Sequence, residues 1–166
     1  MAKDTILIVA ARFYPDIADL LTTGAQRIIR EAGFDMALRE APGAFEIPGI
    51  IAMAAQARNG MGQPLFAGYV ALGCVIRGET SHYDYVCGES ARGLMDLSIR
   101  QCLAIGNGIL TVETKRQALI RARPEAQDKG GGAALACLAM VRFAREFGVA
   151  THTDLGSNQA SAETSA

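Results

Sequence analysis

Nine consecutive residues, Gly68–Ile76 (GYVALGCVI), carry no charge and no helix periodicity, and the run stops abruptly at Arg77-Gly78-Glu79-Thr80-Ser81. A polar-aromatic helical pattern then begins at His82. A strand that is apolar on both faces must be covered on both faces, which is the situation of a parallel strand between helical layers. Thr5–Ala11 (TILIVAA) is a second run of this kind. Residues 34–40 read as another strand, and residues 105–111 as a fourth, interrupted by Gly106-Asn107-Gly108. Helical patterns cover residues 17–32, residues 46 or 48 to about 58, residues 82–103, residues 114–121, and residues 128 or 129 to 147. This alternation of strand and helix calls for right-handed crossovers and a four-stranded parallel sheet between helices.

The 166 residues fit one domain, expected over residues 1–150, and residues 151–166 (THTDLGSNQASAETSA) lack periodicity and are expected to form a disordered tail. Half the residues are apolar, with 18 glycines and no tryptophan, which suits helices packed closely on a sheet. Gly130-Gly131-Gly132 near the start of the last helix costs roughly 1 kcal/mol per glycine relative to alanine. The backbone there must be approached closely by the sheet, another subunit or a ligand.

A net charge of −1, with no lysine or arginine cluster, gives no electrostatic footprint for nucleic acid or an anionic membrane. The opening MAKDTILIVAARF has an apolar run too short for a signal peptide or a membrane span, and no small-residue cleavage site follows it. Cys74, Cys87, Cys102 and Cys137 show neither CxxC nor metal-ligand spacing and read as reduced thiols of a cytoplasmic protein. The P-loop, GxGxxG and GxSxG signatures are missing, which argues against nucleotide hydrolysis, NAD chemistry and serine-esterase chemistry.

In an open α/β sheet, ligands bind beyond the carboxyl ends of the strands, where helix N-termini attract anions. The turns expected along that edge carry Arg12-Phe13-Tyr14, Pro42-Gly43-Ala44-Phe45-Glu46, residues 77–82, and Asn107. Phe13 fits either core packing or stacking on a planar heterocycle. Glu46 fits either a helix dipole or hydroxyl recognition. His82, the only histidine before residue 151, is the natural acid–base candidate. Ser81-His82-Tyr83-Asp84 also has capping-box spacing, so a simple capped helix fits the same residues. Arg77, Arg121 and Lys129 are the cations that could meet a phosphate.

Together, Arg12-Phe13, PGAFEIP at 42–48, LGCVIRGETSHYDYVC at 72–87, GILTVE at 108–113, and Arg121 with Asp128-Lys129-Gly130 make the chain resemble lumazine synthase over about residues 5–148. The resemblance implies a flavodoxin-like three-layer α/β/α sandwich. It implies an enzyme of riboflavin biosynthesis that condenses 5-amino-6-(D-ribitylamino)uracil with 3,4-dihydroxy-2-butanone 4-phosphate, without metal or organic cofactor. Phe13 would stack on the uracil, and Gly43, Ala44, Phe45 and Glu46 would line the uracil–ribityl pocket. Cys74, Val75 and Ile76 would present backbone groups to the pyrimidine. Gly78, Glu79 and Thr80 would cradle phosphate, His82 would move protons, Arg121 would pair with phosphate, and Lys129 would hold polar uracil substituents.

The resemblance also implies self-association, with the region of Asn107 to Lys129 donated by a neighbouring subunit of a homopentamer. Asn107 stands where an aromatic residue is common in the family, and residues 121–129 lack the kink of members that close into sixty-subunit shells. A pentamer is therefore expected, with a decamer as the variant. The competing functional reading is a flavin or lumazine carrier with little turnover.

Overall fold

The computed structural model describes residues 4–149. Its elements are β1 (Thr5–Ala11), α1 (Pro15–Glu31), β2 (Asp35–Ala41), a 3₁₀ turn (Ala44–Glu46), α2 (Ile47–Ala55), β3 (Gly68–Ile76), α3 (His82–Arg100), β4 (Ile105–Val112), α4 (Lys115–Ala122) and α5 (Lys129–Glu146). All strand pairs are parallel, in the order β2-β1-β3-β4. The two apolar runs are the two central strands.

Alternation along β1 explains why the run must be apolar throughout. Ile6, Ile8 and Ala10 pack into the layer of α1, α4 and α5, while Leu7, Val9 and Ala11 pack into the layer of α2 and α3. Ile6 through Val9 are each at most 1% exposed, and each fully buried large aliphatic contributes about 1.5–3 kcal/mol. β2 and β4 lie at the edges, and their partly exposed patterns follow from that position.

β4 is continuous, contrary to the interruption expected at Gly106-Asn107-Gly108. The glycines are there because α5 lies against the strand: a Cβ on Gly106 would sit 1.8 Å from the carbonyl oxygen of Ala133. Gly130, at the start of α5, has a related cause. A Cβ on Gly130 would sit 2.0 Å from the Leu21 carbonyl oxygen, so the close approach is made by α1 of the same chain. Asp128 caps this helix from a left-handed conformation (φ 43°); its carboxylate accepts the Gly131 N–H at 3.0 Å and an Arg27 N–H at 2.9 Å.

α2 and α3 end earlier than their periodicity suggests. Past α2, Arg58 turns back and its Nη1 donates to the carbonyl oxygens of Ala55 and Ala57, which satisfies acceptors left over at the helix end. Past α3, the chain turns through Cys102 at φ 52° and enters β4. The segment 151–166 lies outside the described residues.

Candidate functional site

A cavity of about 510 Å³ opens beyond the carboxyl ends of β1, β2 and β3. This size lies within the ordinary range for small-molecule sites. Three connections build it, and the parallel sheet gathers them. The β1–α1 turn supplies Phe13 and Tyr14. The segment after β2 supplies Pro42, Gly43, Ala44, Phe45 and Glu46. The end of β3 and the start of α3 supply Cys74, Val75, Ile76, Gly78, Thr80, His82, Tyr83 and Val86.

Phe13 and Phe45 are 71% and 53% exposed, so both rings stand at the mouth with a free face for a planar ligand. Phe13 is steadied by an edge-on contact with Tyr14 at 5.0 Å between ring centres. Ala44 is buried beneath them. Gly43 is extended, and a Cβ there would come within 2.9 Å of Glu46 Oε2. The missing side chain lets the Glu46 carboxylate fold back over the turn.

Burial, with smaller contributions from Asp16 and Cys87, pushes the Cys74 thiol up to about 12. It stays protonated at neutral pH and offers no thiolate to a substrate. Burial likewise raises the Cys87 thiol and the Tyr83 phenol. Tyr83 is therefore a neutral wall of the cavity.

The turn before α3 is not the capping box that its spacing suggests. Ser81 makes no side-chain cap; the His82 N–H reaches Thr80 Oγ1 at 3.4 Å, and the Asp84 N–H donates to the Ser81 carbonyl oxygen at 3.0 Å. The Asp84 carboxylate turns instead to Arg77, 3.2 Å away. Arg77 also binds Glu113, so it is already committed and does not line the cavity.

Eleven expected site residues thus meet in one cavity: Phe13, Gly43, Ala44, Phe45, Glu46, Cys74, Val75, Ile76, Gly78, Thr80 and His82. Glu79, Asn107, Arg121 and Lys129 do not line it. Glu79 is exposed on the same turn. Asn107 is not at the carboxyl edge: it is the third residue of β4, paired with Ala71, and its Oδ1 accepts the Ile109 N–H at 3.0 Å. Arg121 lies on α4 with Nη1 donating to the Gln117 carbonyl oxygen, and Lys129 is exposed at the start of α5. Tyr14 and Pro42, expected only as members of the strand-end turns, also line the cavity, as do Tyr83 and Val86, which were not among the expected site residues. Two aromatic residues flanking the strand-end turns, Tyr14 and Tyr83, were the available signal.

The family model for 6,7-dimethyl-8-ribityllumazine synthase matches residues 3–145. The chain belongs to that family. A 6,7-dimethyl-8-ribityllumazine synthase from Methylorubrum populi is 53% identical over 145 residues, covering 87% of this chain and 85% of the relative. Proteins of the same name from Novosphingobium aromaticivorans and Agrobacterium fabrum are 52% and 50% identical. The matches cover 85% and 89% of this chain, and 95% and 99% of those relatives. The three-layer sandwich and the strand-end cavity are thus those of a lumazine-synthase family member. Among the described residues no cluster of three or more His, Cys, Asp or Glu could hold a metal ion, and no helix is long and apolar enough to cross a membrane.

Proposed function

We propose that the cavity beyond β1, β2 and β3 is where this chain, an enzyme of riboflavin biosynthesis, condenses 5-amino-6-(D-ribitylamino)uracil with 3,4-dihydroxy-2-butanone 4-phosphate. The observation that carries the reading is the convergence of an exposed stacking ring (Phe13), a carboxylate (Glu46), an imidazole (His82) and a glycine–hydroxyl turn at a helix start in one open cavity. A carrier of flavin or lumazine needs the ring and the carboxylate; it has no use for an acid–base group beside an anion-attracting turn.

Phe13 takes the uracil face, and Glu46 accepts hydrogen bonds from ribityl hydroxyls. The backbone of Cys74 to Ile76, at the end of β3, meets the pyrimidine edge. Gly78 and Thr80 hold the phosphate ahead of α3, whose N-terminal amides favour negative charge. With the substrates so placed, the 5-amino group adds to the ketone and water leaves to give an imine. Loss of the C3 proton then expels phosphate from C4 and leaves an enol, which tautomerises to a ketone at C3, and the ribityl-bearing nitrogen adds to that new carbonyl with loss of a second water. His82 takes and returns protons in the dehydration and elimination steps, the usual work of an imidazole near neutral pH.

One subunit lacks a partner for the phosphate charge. The lining described above contains Glu46 but no lysine or arginine, and Arg77 is engaged by two carboxylates. Arg121 supplies the missing cation from a neighbouring copy, whose Lys129 holds polar uracil substituents and whose Asn107 contributes to the shared wall. Large apolar side chains exposed along α5 (Leu135, Met140, Phe143) are suited to burial against another subunit. A homopentamer in the cytoplasm is the arrangement we propose.

Mixing the purified chain with both substrates and following lumazine absorbance tests the reaction. Turnover above the uncatalysed rate is expected; tight binding of lumazine with no catalysed product would favour the carrier. Sedimentation of the same sample is expected to show a pentamer or a decamer, and a megadalton shell would overturn the assembly.

A further inference from the structure

Arg77 sits just outside the cavity, yet it ties the end of β3 and the first turn of α3, which both carry cavity residues, to the end of β4. Its backbone N–H donates to the Val112 carbonyl oxygen at 2.9 Å, which carries the β3–β4 pairing one residue past the strand end. Its side chain then makes three contacts. Nε meets both oxygens of Glu113, at 2.9 and 3.2 Å, directly after β4. Nη1 meets Asp84 Oδ1 at 3.2 Å, in the first turn of α3. The guanidinium carbon lies 4.0 Å from the centre of the Tyr83 ring. Glu113 is tied onward, because its N–H donates to Gln117 Oε1 of α4 at 2.9 Å.

The geometry points to Arg77 as a positioning residue for the phosphate subsite, acting through the residues it clasps. Its contact with Asp84 closes residues 77–84 into a ring, and Gly78, Thr80 and His82 of that ring face the cavity. Its contact with Tyr83 sets a ring that is itself a cavity wall. Its charge also offsets those of Asp84 and Glu113, which would otherwise stand as two uncompensated carboxylates beside a site for a dianion. A lysine could balance one carboxylate as a point charge. The planar, multiply donating guanidinium is what can hold Glu113 and Asp84 while lying against an aromatic ring.

The proposal rests on the reaction assigned above, so its test combines turnover with phosphate binding that does not depend on turnover. Full-length wild type, Arg77→Met, Arg77→Lys and the Glu113→Gln/Asp84→Asn double variant are compared by steady-state kinetics and by titration with inorganic phosphate. For Arg77→Met we expect the KM for the phosphorylated ketone to rise about 10-fold and phosphate affinity to fall by a similar factor, with the KM for the neutral pyrimidine within about 2-fold. Arg77→Lys should recover part of the loss. Added salt should narrow the gap to wild type, since exposed charges are screened within about 10 Å at 0.1 M.

Unchanged ketone KM and phosphate affinity in Arg77→Met would overturn the proposal. Equal losses for both substrates without partial recovery by lysine would do so too, because they would indicate a general structural role. Should Arg77→Met fail to fold, the double variant decides. It removes both carboxylates and the clasp together, so phosphate affinity at or above wild type, with a lowered kcat from the loosened turn, is expected. An unaltered kcat with unaltered phosphate affinity would refute the clasp. If wild type makes no lumazine but Arg77→Met still weakens phosphate binding, the reaction fails and the positioning role stands.

Discussion

Gly130→Ala should be among the most damaging single-methyl additions in this chain, while Gly132→Ala, two residues along the same helix, should be harmless or stabilising. The added Cβ at position 130 would lie 2.0 Å from the carbonyl oxygen, 2.7 Å from the carbonyl carbon and 2.8 Å from the Cα of Leu21, all backbone atoms of α1. No rotamer change relieves such a clash. Restoring ordinary contact at the Leu21 oxygen means opening 2.0 Å to about 3.4 Å, and even a gap of 0.5–1 Å forfeits about a quarter to a half of each dispersion contact along the interface. The interface includes Leu21, Ala25, Ala133 and Ala134, all at most 4% exposed, so nothing nearby can slide into the space.

Overpacking of this kind costs about 1–3 kcal/mol or more, and the backbone location puts this case at the upper end. At position 132 a Cβ meets nothing within 4 Å. Replacing that glycine should therefore gain about 0.5–1 kcal/mol from reduced unfolded-state freedom. Urea unfolding followed by circular dichroism, at one fixed protomer concentration because assembly shifts apparent stability, should show midpoints moving in opposite directions. Equal shifts, or an unaffected Gly130→Ala, would refute the close approach of α1 as the reason for glycine at position 130.

Other consequences concern the site. His82→Gln should lower kcat by up to about 10²-fold with little change in either KM, read from initial rates; unaffected turnover would remove His82 from proton transfer. If His82 and Arg121 meet only across a subunit boundary, co-refolded His82→Gln and Arg121→Ala chains should regain about a quarter of wild-type activity, the fraction of interfaces that pair the two intact residues. No recovery in mixed assemblies would place both groups in one subunit. Iodoacetamide at pH 8 should label the exposed Cys102 and spare Cys74 and Cys137, whose thiols burial pushes up to about 12. Mass spectrometry finding Cys74 labelled as fast as Cys102 would contradict the neutral-thiol assignment.

The central strands were legible because burial on both faces leaves short, uncharged apolar runs bounded by turn residues, as in Thr5–Ala11 and Gly68–Ile76. Parallel topology then gathers the strand-end turns, so most of the cavity residues could be named from order alone. The exceptions have identifiable physical causes. Gly106-Asn107-Gly108 looked like a break since glycine and asparagine are poor strand formers, but the demand for close packing of α5 on β4 outweighs that preference. Asp84 had the spacing of a helix cap, yet a guanidinium close by in space attracts it more strongly than the neutral Ser81 amide. The competitor lies seven residues upstream in the same turn, and the capping-box spacing alone does not reveal how the turn brings the two together. Tyr83 was hidden for a related reason: its role as a wall follows from the arginine lying on its other face. Arg121, Lys129 and Asn107 do not line the cavity that holds His82, and their functional reading rests on a second copy.

The most direct measurement is a crystal structure of the full chain with 5-amino-6-(D-ribitylamino)uracil and inorganic phosphate bound. The uracil ring is expected against Phe13 with its edge on the Cys74 to Ile76 backbone, ribityl hydroxyls at Glu46, and phosphate at Gly78 and Thr80 within reach of Arg121 from a neighbour. Ligand found elsewhere on the protein, or phosphate bound away from the turn that carries His82, would contradict this placement.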